Sequence, residues 1–288
     1  MYKRQAGSDA PLQADLFEND RPVEASGYMT DLITDRTIRV LEQPRSGPVF
    51  IDVAYNAPHW PYQRPDQPST ARDHARHVLP MDADANTRAD YVTMVERVDA
   101  GVGRILAALD RLGLRRKTIV IFTNDNGGEW LSRGGPLFHR KASVWEGGIR
   151  VPAIVRWPGR VPAGRVSRQV GVTMDLTATM LAAAGATVPA GSKPDGIDLL
   201  PVLEGRTPDV DRTLFWRVTG AARQQQAVRN GRWKLVVDQG RPLLFDLTTD
   251  VGERSDVIAG HRDVATRLQA ALTAWQADVD GEAKARQP

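Results

Sequence analysis

The chain has 288 residues, 41% hydrophobic and 25% charged, with a formal net charge of +3 and no cysteine. That balance excludes disorder, collagen and coiled coil as descriptions of the whole, and a chain of this length buries a core without staples. The weak, dispersed charge argues against nucleic acid as a partner; no apolar run approaches the ~18 residues of a membrane span, and no disulfide, thiolate zinc site or cysteine nucleophile exists in the chain.

In chain order, Met1–Leu16 carries Lys3 and Arg4 without a following apolar core, so it does not read as a signal peptide. Thr30–Glu42 has helical spacing and is stopped by Pro44. Val49–Tyr55 is a short β-rich apolar run suited to a buried strand, ended by Asn56-Ala57-Pro58-His59-Trp60-Pro61. Thr87–Leu112 is the strongest helix, with Asn86 as candidate cap and Gly113 as stop. Thr118–Thr123 is a second buried-type strand, followed by a glycine-rich stretch, Asn124–Gly148, that reads as a long loop of the functional kind. Val151–Trp157 is a third strand candidate and Asp175–Ala184 a helix with Gly185 behind it.

Apolar strands alternating with amphipathic helices predict an α/β fold with a mostly parallel sheet covered on both faces. Beyond Arg206 the texture changes to Thr213–Val218, an Asn230-Gly231 type I′ hairpin signal, Leu243–Leu247 and a closing helix over Arg262–Val279. This predicts a small antiparallel sheet plus helix, with a domain boundary near 205 separating residues 1–205 from 206–288.

Ligands of open α/β sheets bind at the carboxyl ends of the strands, where this sequence delivers His59 after one strand and Asp125-Asn126 after another. Asp125 and Asn126 are hard oxygen donors of the kind calcium and magnesium prefer, or else an Asx turn bonding its own backbone. His59, on a proline-stiffened loop, suits a proton donor or anion contact, or packs on Trp60. Lys141 has the charge to hold sulfate or phosphate, or is a solvated surface cation. His74 and His77, an i, i+3 pair, lack a third zinc ligand and read more simply as a solvated loop.

Several segments together resemble the arylsulfatase-type sulfatases: Gly27-Tyr28-Met29-Thr30-Asp31, Ala57–Pro61, Asn124–Gly128, Lys141–Pro152, Pro194-Asp195-Gly196 and Arg229–Leu235. They occur in the family's order, and the resemblance spans roughly residues 12–280. It implies an alkaline-phosphatase-like α/β/α sandwich, truncated at its N-terminus, with a smaller C-terminal domain. It implies hydrolysis of a sulfuric ester, on an aryl sulfate or a sulfated sugar, at a calcium ion held in part by Asp125 and Asn126. It assigns His59 to the sulfate or leaving group and Lys141 to a sulfate oxygen. Relatives are often periplasmic or secreted.

Three departures stand out. His139-Arg140 replaces the glycine pair usual before the family's lysine, and the formylglycine motif Cys/Ser-x-Pro-x-Arg is absent. Ser46-Gly47-Pro48 and Ser192-Lys193-Pro194 begin the pattern, but Phe50 and Gly196 stand where arginine belongs. The aspartate pair that completes the family's calcium site is absent as well. The expectation is therefore a portion of a longer sulfatase, inactive alone. The alternatives are a non-catalytic anion- or calcium-binding relative and a phosphate or phosphonate ester hydrolase of the same superfamily.

Overall fold

The computed structural model describes residues 16–60, 62–66, 87–188, 191–192, 194–220 and 223–285. His74, His77 and Asn86 lie outside them. The chain divides into two compact units, residues 1–119 and 120–288.

In the first unit, a two-residue ribbon pairs β1 (Phe17–Glu18) with β2 (Arg21–Pro22) antiparallel. Helices α1 (Met29–Glu42) and α2 (Arg88–Arg111) follow. Thr87 caps α2 through a capping box: its hydroxyl accepts from Asp90 N at 3.2 Å, and its own amide donates to Asp90 Oδ2 at 2.8 Å. The two helices are clipped along their exposed side by Arg97–Asp31, Arg104–Asp35 and Arg111–Glu42, whose arginines are spaced by about two turns of α2. Such exposed pairs contribute little each, so they set register more than stability. The crossing is close at Gly101, where an added Cβ would meet Thr34 Oγ1 at 2.5 Å and the Tyr55 hydroxyl at 2.7 Å.

Val49–Tyr55 departs from the expected buried strand. Ile51, Val53 and Tyr55 are half-buried while Phe50, Asp52 and Ala54 are exposed, Phe50 at 70%. The segment has the two-residue alternation of a strand but no ladder. What ties it is a side chain: the Tyr55 hydroxyl lies 2.7 Å from Thr34 Oγ1 on α1.

The second unit opens with β3 (Val120–Thr123). After the long loop come α3 (Glu146–Ile149) and β4 (Ala153–Arg156). β3 and β4 pair antiparallel, Val120 opposite Arg156 and Thr123 opposite Ala153. Every pairing among the described residues is antiparallel, against the parallel sheet expected from the alternation. A parallel return needs a crossover of a dozen or more residues, usually a helix. The only helix between these two strands is the single turn of α3, and Phe138, Val144 and Trp145 of the connection pack on the C-terminal sheet instead.

Helix α4 (Thr173–Ala184) ends at Gly185 in the left-handed conformation, and α5 (Leu200–Leu203) is a single turn. Asp175, wholly buried, accepts from Val172 N, from Ile197 N and from Arg212, holding the start of α4 against the Pro194-Asp195-Gly196 segment. Burial works to raise its carboxyl, but the Arg212 guanidinium and these amides prevail and hold it below the usual carboxylate range.

The four-stranded meander then runs β5 (Thr213–Gly220), β6 (Arg223–Asn230), β7 (Trp233–Asp238) and β8 (Arg241–Asp246). The turn near Asn230 is Gly231-Arg232, because Asn230 itself pairs with Trp233. Only Gly231 has a positive φ (55°), which is the II′ pattern rather than the expected I′. The I′ pattern falls one hairpin later, at Gln239 (48°) and Gly240 (78°).

Helix α6 (Arg262–Ala285) covers one face of this sheet, with Leu268 and Leu272 packed against Val228, Leu235 and Leu244. The other face carries Ala227, Val236 and Phe245, and is covered by Val144 and Trp145 of the long loop. The change of texture near 205 thus falls inside the second unit, whose core draws on both sides of it.

Candidate functional site

The loop from Asn124 to Gly148 places the candidate residues. Asp125 Oδ1 accepts from Asn126 N at 2.8 Å, and Asn126 Nδ2 donates to Gly127 O at 3.0 Å. With its amide nitrogen committed to that carbonyl, the Asn126 side-chain oxygen is the atom left to serve as a donor. The pair thus bonds its neighbouring backbone, without the i to i+2 bond of an Asx turn, and forms an oxygen-rich tip at the end of β3. Calcium takes about 6–8 oxygens, so these donors fit by type and fall short in number. Among the described residues no group of three or more His, Asp or Glu side chains gathers for a metal ion.

The turn is fastened to the second half of the loop by backbone bonds: Gly127 N to Gly148 O at 2.8 Å, and Lys141 N to Gly128 O at 3.0 Å. Lys141 is thereby held two residues from Asn126 along the partner segment. Its ammonium lies 3.9 Å from Glu129 Oε1. These approaches explain the glycines. A Cβ on Gly127 would meet Gly147 O at 2.0 Å, and one on Gly147 would meet the Phe138 and His139 carbonyls at 2.4 Å.

His139 stands at φ 64° and Ala142 at 63°. The left-handed conformation of His139 accounts for a glycine being at home at this position; here the loop keeps that conformation without one. Arg140 lies over the Trp130 ring, 4.3 Å from its centroid.

His59 belongs to the first unit. It is exposed, its backbone amide donates to Asn56 O at 2.8 Å, and its Nδ1 lies 2.5 Å from Trp60 O. The ring is thus held against the Trp60 carbonyl, and the backbone that carries it is tied back to Asn56.

Sequence reasoning missed the anchor of the loop. Glu146, which opens α3, Lys234 on β7 and Glu253 form a buried ionic cluster. The Lys234 ammonium, 0% exposed, lies 2.9 Å from Glu146 Oε1 and 2.8 Å from Glu253 Oε1. Glu253 Oε2 also accepts from Glu146 N at 2.6 Å, and Arg150 donates to Glu146 Oε2 at 3.2 Å. Burial pushes Glu146 up, yet Lys234 beside it, with Arg229 and Arg150, brings its carboxyl below the usual value. For Glu253 burial dominates and the Glu146 charge adds to it, so the carboxyl lies above its usual value despite Lys234. The signal was present: a charge inside the apolar runs Val144-Trp145-Glu146 and Trp233-Lys234-Leu235-Val236 is tolerated only when paired.

Comparison with known proteins bears on these motifs. The sulfatase family model matches residues 1–186, and a second model, the C-terminal region of N-sulphoglucosamine sulphohydrolase, matches residues 134–278. Mouse steryl-sulfatase is 31% identical over 310 aligned positions, covering 92% of this chain and 47% of that protein. Mouse N-acetylgalactosamine-6-sulfatase is 35% identical over 232, covering 75% and 42%. The solved structure of Ps i-CgsB with k-i-k-neocarrahexaose superposes with a TM-score of 0.78 at 29% identity, covering 92% of this chain and 58% of that one. The chain spans about half the length of the curated relatives it matches.

Proposed function

Because this chain belongs to the sulfatase family, we propose that it supplies the later half of the active site of a sulfuric ester hydrolase that works with calcium. The observation that carries the reading is the fastening of the Lys141 segment to the Asp125-Asn126 turn through Gly127, Gly128 and Gly148. A cation and a set of oxygen donors are thereby fixed on one scaffold.

In this reading Asp125 and the Asn126 amide oxygen provide part of a calcium shell. Bound there, calcium would supply positive charge for the sulfate group. Lys141 steadies a sulfate oxygen as negative charge builds in the transition state, and Glu129 keeps its ammonium in place. For His59 the assignment to the sulfate or leaving group rests on the family resemblance and on the rigidity of its own loop. The attacking group and the remaining calcium donors are assigned to polypeptide outside these residues, since no Cys/Ser-x-Pro-x-Arg occurs in the sequence.

The test has two arms. The 288-residue chain alone is expected to leave 4-nitrophenyl sulfate intact. The same residues, joined to a sulfatase segment that carries the formylglycine motif, are expected to cleave it. In the joined protein, Asp125→Ala and Lys141→Ala are each expected to cost about a hundredfold in kcat/KM. A loss of less than about tenfold removes that residue from the site. Turnover by the chain alone overturns the division of the site.

A further inference from the structure

We propose that Trp130 and Arg140 form a sugar-binding subsite beside Lys141, which makes the substrate a sulfated saccharide rather than a simple aryl sulfate. The inference rests on the reading of Lys141 as the sulfate-holding residue. Two pairs of chain neighbours, 129–130 and 140–141, face each other across the loop. Glu129 meets the Lys141 ammonium at 3.9 Å, and Trp130 carries the Arg140 guanidinium 4.3 Å from its ring centroid. The Lys141 amide bond to Gly128 O, at 3.0 Å, fixes the register of the two segments.

The consequence is a large apolar ring held next to the candidate sulfate position. Trp130 remains 42% exposed although Arg140 lies over it. An indole in that setting offers an apolar face to the C–H face of a pyranose, with little rotamer entropy to lose because the ring is already braced. Arg140 is exposed as well, and a guanidinium lying over a ring can direct its N–H donors to a second sulfate or a carboxylate. Inorganic sulfate would engage the sulfate position at Lys141 but not Trp130. A sugar sulfate would engage Lys141, Trp130 and, where it bears a second anionic group, Arg140. The bland reading, in which Trp130 is merely a surface side chain, predicts no difference between the two ligands at this residue.

The test is titration calorimetry on the 288-residue chain in calcium-containing buffer, with sodium sulfate, galactose, galactose 6-sulfate and glucosamine 2-N,6-O-disulfate as probes. Galactose 6-sulfate is expected to bind at least about fivefold more tightly than sulfate. Trp130→Ala should erase that advantage and leave sulfate binding unchanged, while Trp130→Tyr restores most of it. Arg140→Ala should weaken the disulfate more than the monosulfate. Equal affinity of the unaltered chain for sulfate and galactose 6-sulfate overturns the subsite. So does an advantage that survives Trp130→Ala. If sulfate binding itself persists in Lys141→Ala, the underlying assignment of Lys141 falls instead.

Discussion

The loop from Phe138 to Gly148 and the segment from Val49 to His59 each carry a stretch that resembles the sulfatases, yet they are held in opposite ways. The first is irregular in backbone and tightly bound. Its apolar residues Val144 and Trp145 complete the core of the C-terminal sheet, its glycines abut carbonyls, and Glu146 enters a buried ionic cluster. The second is strand-like in its pattern of burial and loosely bound. It alternates like a strand, lacks a ladder, and leaves Phe50 70% exposed. Order in a functional segment therefore comes here from tertiary anchoring, not from secondary structure. A loop whose only regular hydrogen bonding is the single turn of α3 at its end is the better-fixed of the two.

The sharpest break of that comparison is Lys234→Ala. It removes the one cation between two buried carboxylates, and breaking a buried pair typically costs about 3–5 kcal/mol. Urea denaturation should show that loss, together with proteolytic opening of the 138–148 loop. A loss under about 1 kcal/mol would mean that the cluster does not anchor the loop. Gly147→Ala comes next. Its new Cβ would meet two carbonyl oxygens at 2.4 Å, so backbone must shift, at about 1–3 kcal/mol. The same change at Gly103, which has open space around it, should not destabilise helix α2.

Glu253 sharpens the comparison through pH. Its carboxyl is raised in the folded state, so the folded protein holds a proton that the unfolded chain releases from about pH 4.5 upward. That contribution to stability is complete below the unfolded value and is lost as pH rises through the folded one. Glu146, lowered, contributes the other way: its stabilisation is present above the unfolded value and fades as pH falls through the folded one. Comparing denaturation curves of the unaltered chain and Glu253→Gln between pH 4 and 8 isolates the first effect. The expected result is that Glu253→Gln lacks the decline with rising pH, so the difference between the two proteins grows with pH. A constant difference would show that Glu253 titrates normally.

Much of this was legible in the sequence, and the parts that were not share a cause. Helices α1, α2, α4 and α6 followed from periodicity and stop signals, because each buries one stripe along its own length. Residues Asn124–Gly148 were readable as a long loop from their glycines. The β3–β4 pairing was not readable, because strand direction depends on where the intervening chain packs, and that chain packs on residues a hundred positions away. The same holds for Lys234 and Glu253, whose partner Glu146 lies about ninety to a hundred residues off in sequence. The turn at Gly231 was misplaced by one residue, since Asn230-Gly231 satisfies the I′ composition rule while the strand register makes Gly231 the first loop residue. Asp125, Asn126 and Lys141 were singled out by motif. The structure adds the bonds that bring their segments together, which no motif states.

Phe50 carries the smallest expected effect and tests the weaker-held region directly. If Val49–Tyr55 is fastened only on its inner side, through Tyr55 and Thr34, then Phe50→Lys changes nothing that is packed, and stability should stay within about 0.5 kcal/mol. What should change is self-association. A ladder-free extended segment that exposes a large apolar ring presents unpaired backbone to other chains, and a lysine on such an edge discourages pairing. Light scattering at high protein concentration should therefore fall in Phe50→Lys while its urea midpoint holds. If the midpoint drops by 1 kcal/mol or more, Phe50 is packed, and the contrast between the two regions fails. Unchanged scattering would instead locate the adhesive surface elsewhere, with the outward-facing Ile154 of β4, 62% exposed, as the next residue to charge.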